Sequence, residues 1–292
     1  MTNLYLKFEQ SLGISMKSEE PKPTNNGALR PFLKWAGGKS QILTELLKYY
    51  PPSYNKYIEP FVGGGALFFS LHNPRSIISD LNEELIITYK QVQTNVYEVI
   101  KILQTYINEE DFYYMIRALN VDGLSHAERA ARLIYLNKTC FNGLYRVNKN
   151  GTFNVPYGKR KGSFLNELNL INASNYLQNV TILNADYKVV LKQYAHKGDF
   201  VFLDPPYQPV GKYSDFKRYT KEFFYAYNQK ELANIFKHLV DRGCFVMLTN
   251  SDHPSILELY KDYKKIFLNT KRLISCDVKT RHGVDLIFLG GI

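Results

Sequence analysis

The sequence predicts an α/β fold: a parallel sheet covered by helices, interrupted by a helical insertion that ends in a basic β-hairpin. Three observations carry this. Short apolar runs alternate with helical patterns along most of the chain, as expected of strands buried on both faces. Between Asp80 and Val180 the pattern changes to longer stretches of helical period. Three strand candidates also end in aspartate, which an open parallel sheet places on its ligand-binding edge. With 292 residues, 45% of them hydrophobic, the chain can build one large or two modest domains around a real core.

Met1 to about Leu29 contains SEEPKPTNNG, polar and without a sustained apolar period, and reads as a flexible tail over 1–29. The folded body begins near Arg30. Its strand candidates are Tyr57 to Phe61, Ser76 to Asp80, Val180 to Asp186, Asp199 to Asp204, Cys244 to Thr249, Lys265 to Leu268 and Val284 to Leu289. Helices are expected over Ala66 to Leu71, over Glu83 to Leu103, where Leu85, Ile86, Tyr89, Val92, Val96, Val99, Ile100 and Leu103 keep the period, and over Ala127 to Thr139. In Phe141 to Tyr157, YRV and TFNVPYG flank NKNG, and β-rich flanks around Asn150-Gly151 argue for a hairpin. The chain thus divides into a body over 30–82 and 171–292 and an insertion over 83–170.

The formal charge is +10, from 37 Lys and Arg against 27 Asp and Glu, and it favours an anionic partner, nucleic acid or an acidic membrane surface. The excess is local. Lys138 to Lys161 holds six cations and no acid, and Lys261 to His282 holds seven Lys or Arg against Asp262 and Asp277. Cations interleaved with Asn, Tyr and Gly suit a surface that tracks phosphates and reads bases, although a merely solvated face has the same composition. No run approaches the length of a membrane span, and MTNLYLKFEQ lacks the apolar core of a signal peptide, so a soluble, cytoplasmic protein is expected. Cys140, Cys244 and Cys276 are too few and too scattered for a disulfide framework or a zinc site, and the histidines lack metal-ligand spacing. No metal is expected.

The chemistry concentrates on the sheet edge. After the first strand comes Glu59-Pro60-Phe61-Val62-Gly63-Gly64-Gly65, where glycine lets the backbone turn sharply and approach a ligand. Alone, such a turn is weak evidence. Asp80, at the end of the next strand, stands where an acid accepts ribose hydroxyls, so the pair points to a nucleoside-containing cofactor. Asp186 ends another strand, and helix capping is the plain alternative for each of these acids. The strongest signal is Asp204-Pro205-Pro206-Tyr207. Two prolines remove two N–H donors and leave carbonyls beside a carboxylate, an acceptor set for a planar amine, with Tyr207 available to stack on the ring that bears it.

These motifs resemble, in kind and order, the DNA adenine-N6 methyltransferases of the Dam type: FLKWAGGK from Phe32, then EPFVGGG, SDLN, FNGLYRVN with FNVPYG, and DPPY. The resemblance covers roughly Arg30 to the C-terminus. It implies a Rossmann-like S-adenosylmethionine-dependent methyltransferase sheet as the catalytic domain, with 83–170 as the target-recognition domain. It implies transfer of a methyl group from S-adenosylmethionine to the N6 amine of a flipped adenine in double-stranded DNA, within GATC, leaving S-adenosylhomocysteine. By similarity, Asp204, Pro205, Pro206 and Tyr207 are catalytic. Trp35, Lys39, Phe61, Gly63, Gly65, Asp80, Asp186 and Asp204 border the cofactor. Lys34, Asn142, Leu144, Arg146, Asn148, Asn154 and Pro156 contact DNA, Lys34 at the outer guanine. Core packing is the plain reading of Trp35. The pattern departs at Arg160, where the relatives often have an aromatic, and in the N-terminal tail. A monomer associated with the nucleoid through its DNA is expected.

Competing readings are a nonenzymatic DNA-binding module, which would not bind S-adenosylmethionine; a dinucleotide oxidoreductase, which lacks G-x-G-x-x-G and leaves DPPY unused; and a methyltransferase acting on another adenine-containing site, on RNA or on a protein amide, which substrate competition would separate.

Overall fold

The computed structural model describes residues 29–35, 37–149, 151–207, 224, 226–271 and 282–291. Seven strands form one sheet: β1 (Tyr57–Glu59), β2 (Ser76–Asp80), β3 (Thr181–Asn184), β4 (Phe200–Leu203), β5 (Phe245–Ser251), β6 (Lys264–Lys271) and β7 (His282–Gly290). Their order is β3-β2-β1-β4-β5-β7-β6. Each strand read from the sequence is present, with its ends displaced by three residues or fewer. The tail expected over 1–29 falls almost wholly outside the described residues, as does Cys276.

One expectation is corrected. The sheet is not wholly parallel: β3, β2, β1, β4 and β5 run parallel, but β7 is antiparallel to both β5 and β6. A parallel return needs a crossover of roughly a dozen residues or more. Only 272–281 separate β6 from β7.

Helices α1 (Leu43–Leu46) and α2 (Ala66–Leu71) flank β1 in sequence, and α3 (Glu83–Thr94) follows β2. The stretch expected as helix from Glu83 to Leu103 is two helices, because Asn95 leaves helical geometry at φ −138° and starts α4 (Val96–Gln104) in a new direction. Next come α5 (Glu110–Ala118) and α6 (His126–Thr139), the latter opened by a capping box of Ser125 and Glu128. Beyond the hairpin, α7 (Glu167–Leu177) leads into β3, α8 (Tyr187–Tyr194) into β4, α9 (Ala226–Asp241) into β5 and α10 (Pro254–Leu259) into β6.

The insertion is not a separate ball. One continuous hydrophobic cluster runs from Phe68 and Ile78 through Leu85 and Tyr89 to Tyr135 and Val155, so one sheet face and the insertion share a core. The other face packs Val201, Leu203, Val246 and Leu248 against Val190 and Leu191 of α8 and Leu232 and Phe236 of α9. The hairpin is present but sparsely paired, with single antiparallel bridges at Cys140↔Tyr157 and Val147↔Phe153. Side chains of α5 brace it as well. The Tyr113 hydroxyl and the Arg117 guanidinium both donate to the Val155 carbonyl, at 2.8 and 3.0 Å.

Candidate active site

β1 lies between β2 and β4, so successive connections leave it in opposite directions and open a crevice at the strands' carboxyl ends. The glycine turn enters this crevice from β1 and the DPPY turn from β4. Gly63 (φ +46°) and Gly65 (φ +66°) adopt left-handed backbone, which disfavours any side chain. A Cβ on Gly63 would stand 2.7 Å from Cδ1 of Trp35, and one on Gly65 would stand 2.9 Å from the Tyr89 hydroxyl. That hydroxyl donates to the Gly63 carbonyl at 3.1 Å. The turn is therefore braced from below by α3 and covered by Trp35.

Asp80 holds the same turn. One carboxylate oxygen accepts from Gly63 N at 3.1 Å and the other from Asn82 N at 2.9 Å. Burial pushes its pKa up to about 6, against the lowering pull of these N–H donors. Phe61 packs on Tyr187 with ring centroids 5.0 Å apart. Asp186 caps α8, accepting from Lys188 N at 2.8 Å, so it serves the structure as well as standing beyond the end of β3.

Asp204 follows β4, whose four residues are all buried. Its Oδ1 accepts from the Lys39 ammonium at 2.7 Å and from the Thr249 hydroxyl at 2.7 Å. Lys39 also donates to the Gly37 carbonyl at 2.6 Å and lies 4.7 Å above the centroid of the Tyr207 ring. Burial works against the Lys39 charge, but Asp204, with Tyr207 and Asp285 adding to it, more than offsets that and lifts the pKa above the ordinary lysine value. The Pro206 carbonyl accepts from Gln229 at 3.0 Å, and Gln229 in turn accepts from Asn250 at 3.0 Å. The DPPY turn is thus fixed by a chain of buried amides from α9 and β5. Glu59, also buried, accepts from the Tyr57 hydroxyl at 2.7 Å. Burial, with the Asp204 charge adding to it, pushes its pKa up to about 8.

The residues expected to contact DNA lie in the hairpin, except Lys34, which precedes the insertion in sequence. Arg146 donates through Nε to Oδ1 of Asn154 at 2.8 Å and through Nη2 to the Asn154 carbonyl at 3.3 Å, which orients the guanidinium from one side. The Asn148 side chain accepts from Thr152 N at 3.0 Å and shapes the hairpin loop. Asn142 is exposed at φ +57°, Pro156 is exposed, and Leu144 is half-buried. Lys34 is exposed, with its aliphatic stem against Gly143. Tyr145 stacks on Trp35 with centroids 4.7 Å apart and planes 19° apart. The hairpin therefore touches the residue that covers the glycine turn.

Trp35, Lys39, Gly63, Gly65, Asp80, Asp204 and Tyr207 come together in the crevice, while Asp186 and Phe61 flank it at α8. Sequence reasoning missed Thr249, Gln229, Asn250 and Asn137. The only signal for Thr249 and Asn250 was that they form a polar pair ending an apolar strand; Gln229, in α9, had none. Among the described residues no helix is long and apolar enough to cross a membrane, and no His, Cys, Asp and Glu residues gather as a metal site.

A family model described as D12 class N6 adenine-specific DNA methyltransferase matches residues 35–274. The chain is 43% identical over 244 residues to the type II methyltransferase M1.LlaDCHI of Lactococcus lactis subsp. cremoris, covering 80% of this chain and 86% of that protein. It is 41% identical over 271 residues to the type II methyltransferase M.MjaIII of Methanocaldococcus jannaschii, covering 85% and 93%. To the DNA adenine methylase of Escherichia coli (strain K12) it is 32% identical over 260 residues, covering 88% and 93%.

Proposed function

The chain belongs to the D12 class N6 adenine-specific DNA methyltransferases, and from that premise we propose that it methylates the adenine of GATC in double-stranded DNA, flipping that base onto the Asp204–Tyr207 turn. Its methyl donor is S-adenosylmethionine, as in the family. The residues present fit that cofactor: a glycine turn with no room for a Cβ, roofed by Trp35, beside the half-buried acid Asp80. Gly63 to Gly65 would hold its methionine part, Asp80 its ribose, Asp186 would stand near its base, and Phe61 would border the cofactor. When bound, the cofactor supplies an electrophilic methyl group.

The observation that carries the proposal is the convergence of the glycine turn and the DPPY turn at one crevice, with the Asp204 carboxylate fixed by Lys39 and Thr249. Asp204 accepts one N–H of the target amine, and the Pro205 carbonyl accepts the other, since the Pro206 carbonyl already serves Gln229. Holding both hydrogens directs the nitrogen lone pair and aligns it for transfer. Tyr207 stacks on the adenine ring. Lys39 and Thr249 both bond Oδ1 of Asp204, which leaves Oδ2 for the amine, and Lys39 covers one face of Tyr207, which leaves the other for the ring. Flipping follows from reach, since the amine is otherwise inside the duplex stack.

Lys34, Arg146, Leu144 and Pro156 read the site, with Asn142, Asn148 and Asn154 around them. An arginine with one edge held by Asn154 presents its other edge, which suits a bidentate contact to guanine. The enzyme acts as a monomer, with 83–170 as its recognition domain, and the type II names of two relatives favour a restriction–modification setting.

The test is transfer of labelled methyl to matched duplexes, with and without GATC, alongside 2-aminopurine fluorescence at the target position. Label confined to the GATC duplex and a rise in fluorescence on binding are expected. Label in every adenine-containing duplex would overturn the site assignment.

A further inference from the structure

Asn137, in the last turn of α6, is fully buried and carries no part in the reading above. Its side chain is committed. Oδ1 accepts from Lys34 N at 2.8 Å, and Nδ2 donates to the Lys34 carbonyl at 2.7 Å and, at a longer 3.4 Å, to the Gly143 carbonyl. The amide fits only one way round, because a peptide N–H only donates and its C=O only accepts. It pairs with the Lys34 peptide groups as a neighbouring strand would. Aspartate at this position would lack the donor and alanine would lack both groups, leaving Lys34 backbone atoms without their partner.

On the other side, Gly143 forms a wall for the Lys34 side chain. A Cβ there would lie 2.5 Å from Lys34 Cδ and 3.1 Å from its Cβ, and Gly143 sits at φ +65°. The Lys34 stem therefore runs between a pinned backbone and a glycine of the recognition segment. Its head faces other cations. Burial and the nearby Arg160 charge lower the Lys34 pKa, and burial with Lys34 and Arg160 brings Lys138 down to about 8. Like charges repel, so without restraint the long Lys34 side chain would swing away from Lys138 and Arg160 and lose a fixed approach to a base.

We infer that Asn137 is a positioning residue for sequence discrimination: by clamping the Lys34 backbone against Gly143, it fixes the lysine that reads the G·C pair on the 5′ side of the target adenine. This rests on the proposed reading of that pair by Lys34. The clamp acts on one base pair only, because Arg146 is oriented independently by Asn154. It also explains how a flexible lysine can discriminate without a bidentate fork.

The experiment uses hemimethylated GATC duplexes, so that one adenine accepts, with either the 5′ G·C pair or the pair on the far side of the site altered. Discrimination is the ratio of kcat/KM for intact and altered duplexes, measured for the native chain, Lys34→Ala, Asn137→Ala and Gly143→Ala. Each variant is checked for folding by binding of S-adenosylhomocysteine. Lys34→Ala is expected to lower discrimination at the 5′ pair by about tenfold, the worth of one good base contact. Asn137→Ala is expected to reproduce most of that loss, with discrimination at the far pair kept. Gly143→Ala reaches Lys34 from the opposite side, shows the same selectivity, and keeps the inference testable should Asn137→Ala not fold. If Lys34→Ala loses 5′ discrimination while folded Asn137→Ala and Gly143→Ala keep it, the clamp is refuted. Equal loss at both pairs would show a merely structural role and refute it too. Unchanged discrimination in Lys34→Ala would overturn the Lys34 reading itself, and the clamp with it.

Discussion

Asp204 works with a partner that adds no charge of its own. The Thr249 hydroxyl gives it a 2.7 Å hydrogen bond, and hydrogen bonds to charged groups contribute about 1.5–3 kcal/mol. Thr249→Val keeps the shape and removes the donor. The carboxylate is then held by Lys39 alone. A fall in kcat of roughly tenfold or more is expected, with S-adenosylhomocysteine affinity near native, measured by single-turnover transfer and titration. Gly63 is limited by shape. In Gly63→Ala the added methyl meets Trp35 at 2.7 Å in a backbone conformation that disfavours side chains. Cofactor affinity is expected to fall more than DNA affinity, which separate titrations would show. DPPY and the glycine turn were legible because each is contiguous. Thr249 and Gln229 were not, because they meet the DPPY turn from 45 and 23 residues away, and a sequence does not show which strand ends become neighbours.

At the scale of elements, β4 was readable from Phe200-Val201-Phe202-Leu203 because a strand buried on both faces has no room for polar alternation. The reversed β7 was not, since an apolar strand carries no mark of direction. The hairpin was recognised by its turn residues, yet its described residues pair only through isolated bridges, and Tyr113 and Arg117 brace it from outside the loop. This arrangement leaves its cations on the surface: Lys149, Lys159, Arg160 and Lys161 are exposed. Binding to duplex DNA should weaken steeply with salt. Each of these cations that neutralises a phosphate contributes about 0.9 to the slope of log K against log salt concentration. Lys159→Ala and Lys161→Ala are each expected to make that slope shallower without changing which site is methylated. An unchanged slope would remove these residues from the phosphate contacts.

At the scale of the whole molecule, function is built at the cost of buried acid. Glu59 sits in the crevice floor with a carboxyl raised by burial to about 8 from an ordinary 4.5, while the Tyr57 hydrogen bond pulls the other way. The folded chain therefore keeps a proton that the unfolded chain releases. The stability this group contributes is complete below about pH 4.5 and is lost as pH rises through about 8. Asp80 acts in the same direction over a lower window, from 3.8 to about 6. Glu59→Gln keeps an oxygen for Tyr57 and has nothing to titrate. Its urea midpoint is expected to fall less than the native one between pH 5 and pH 9, and parallel pH profiles would contradict the assignment. The shared core of sheet and insertion has a further consequence: the hairpin is carried on the same packed body as the crevice, through the Trp35–Tyr145 stack and the hydrogen bonds of Asn137 to the Lys34 backbone.

We read Asp204 as the group that holds the amine of a flipped adenine for methyl transfer, and Asp204→Asn, assayed for N6-methyladenine in a GATC duplex, tests that role. The asparagine preserves shape and replaces one acceptor oxygen by a donor. The expected result is loss of transfer by several orders of magnitude, with S-adenosylhomocysteine still bound and the duplex still recognised. Transfer at the native rate by a folded Asp204→Asn protein would contradict the account.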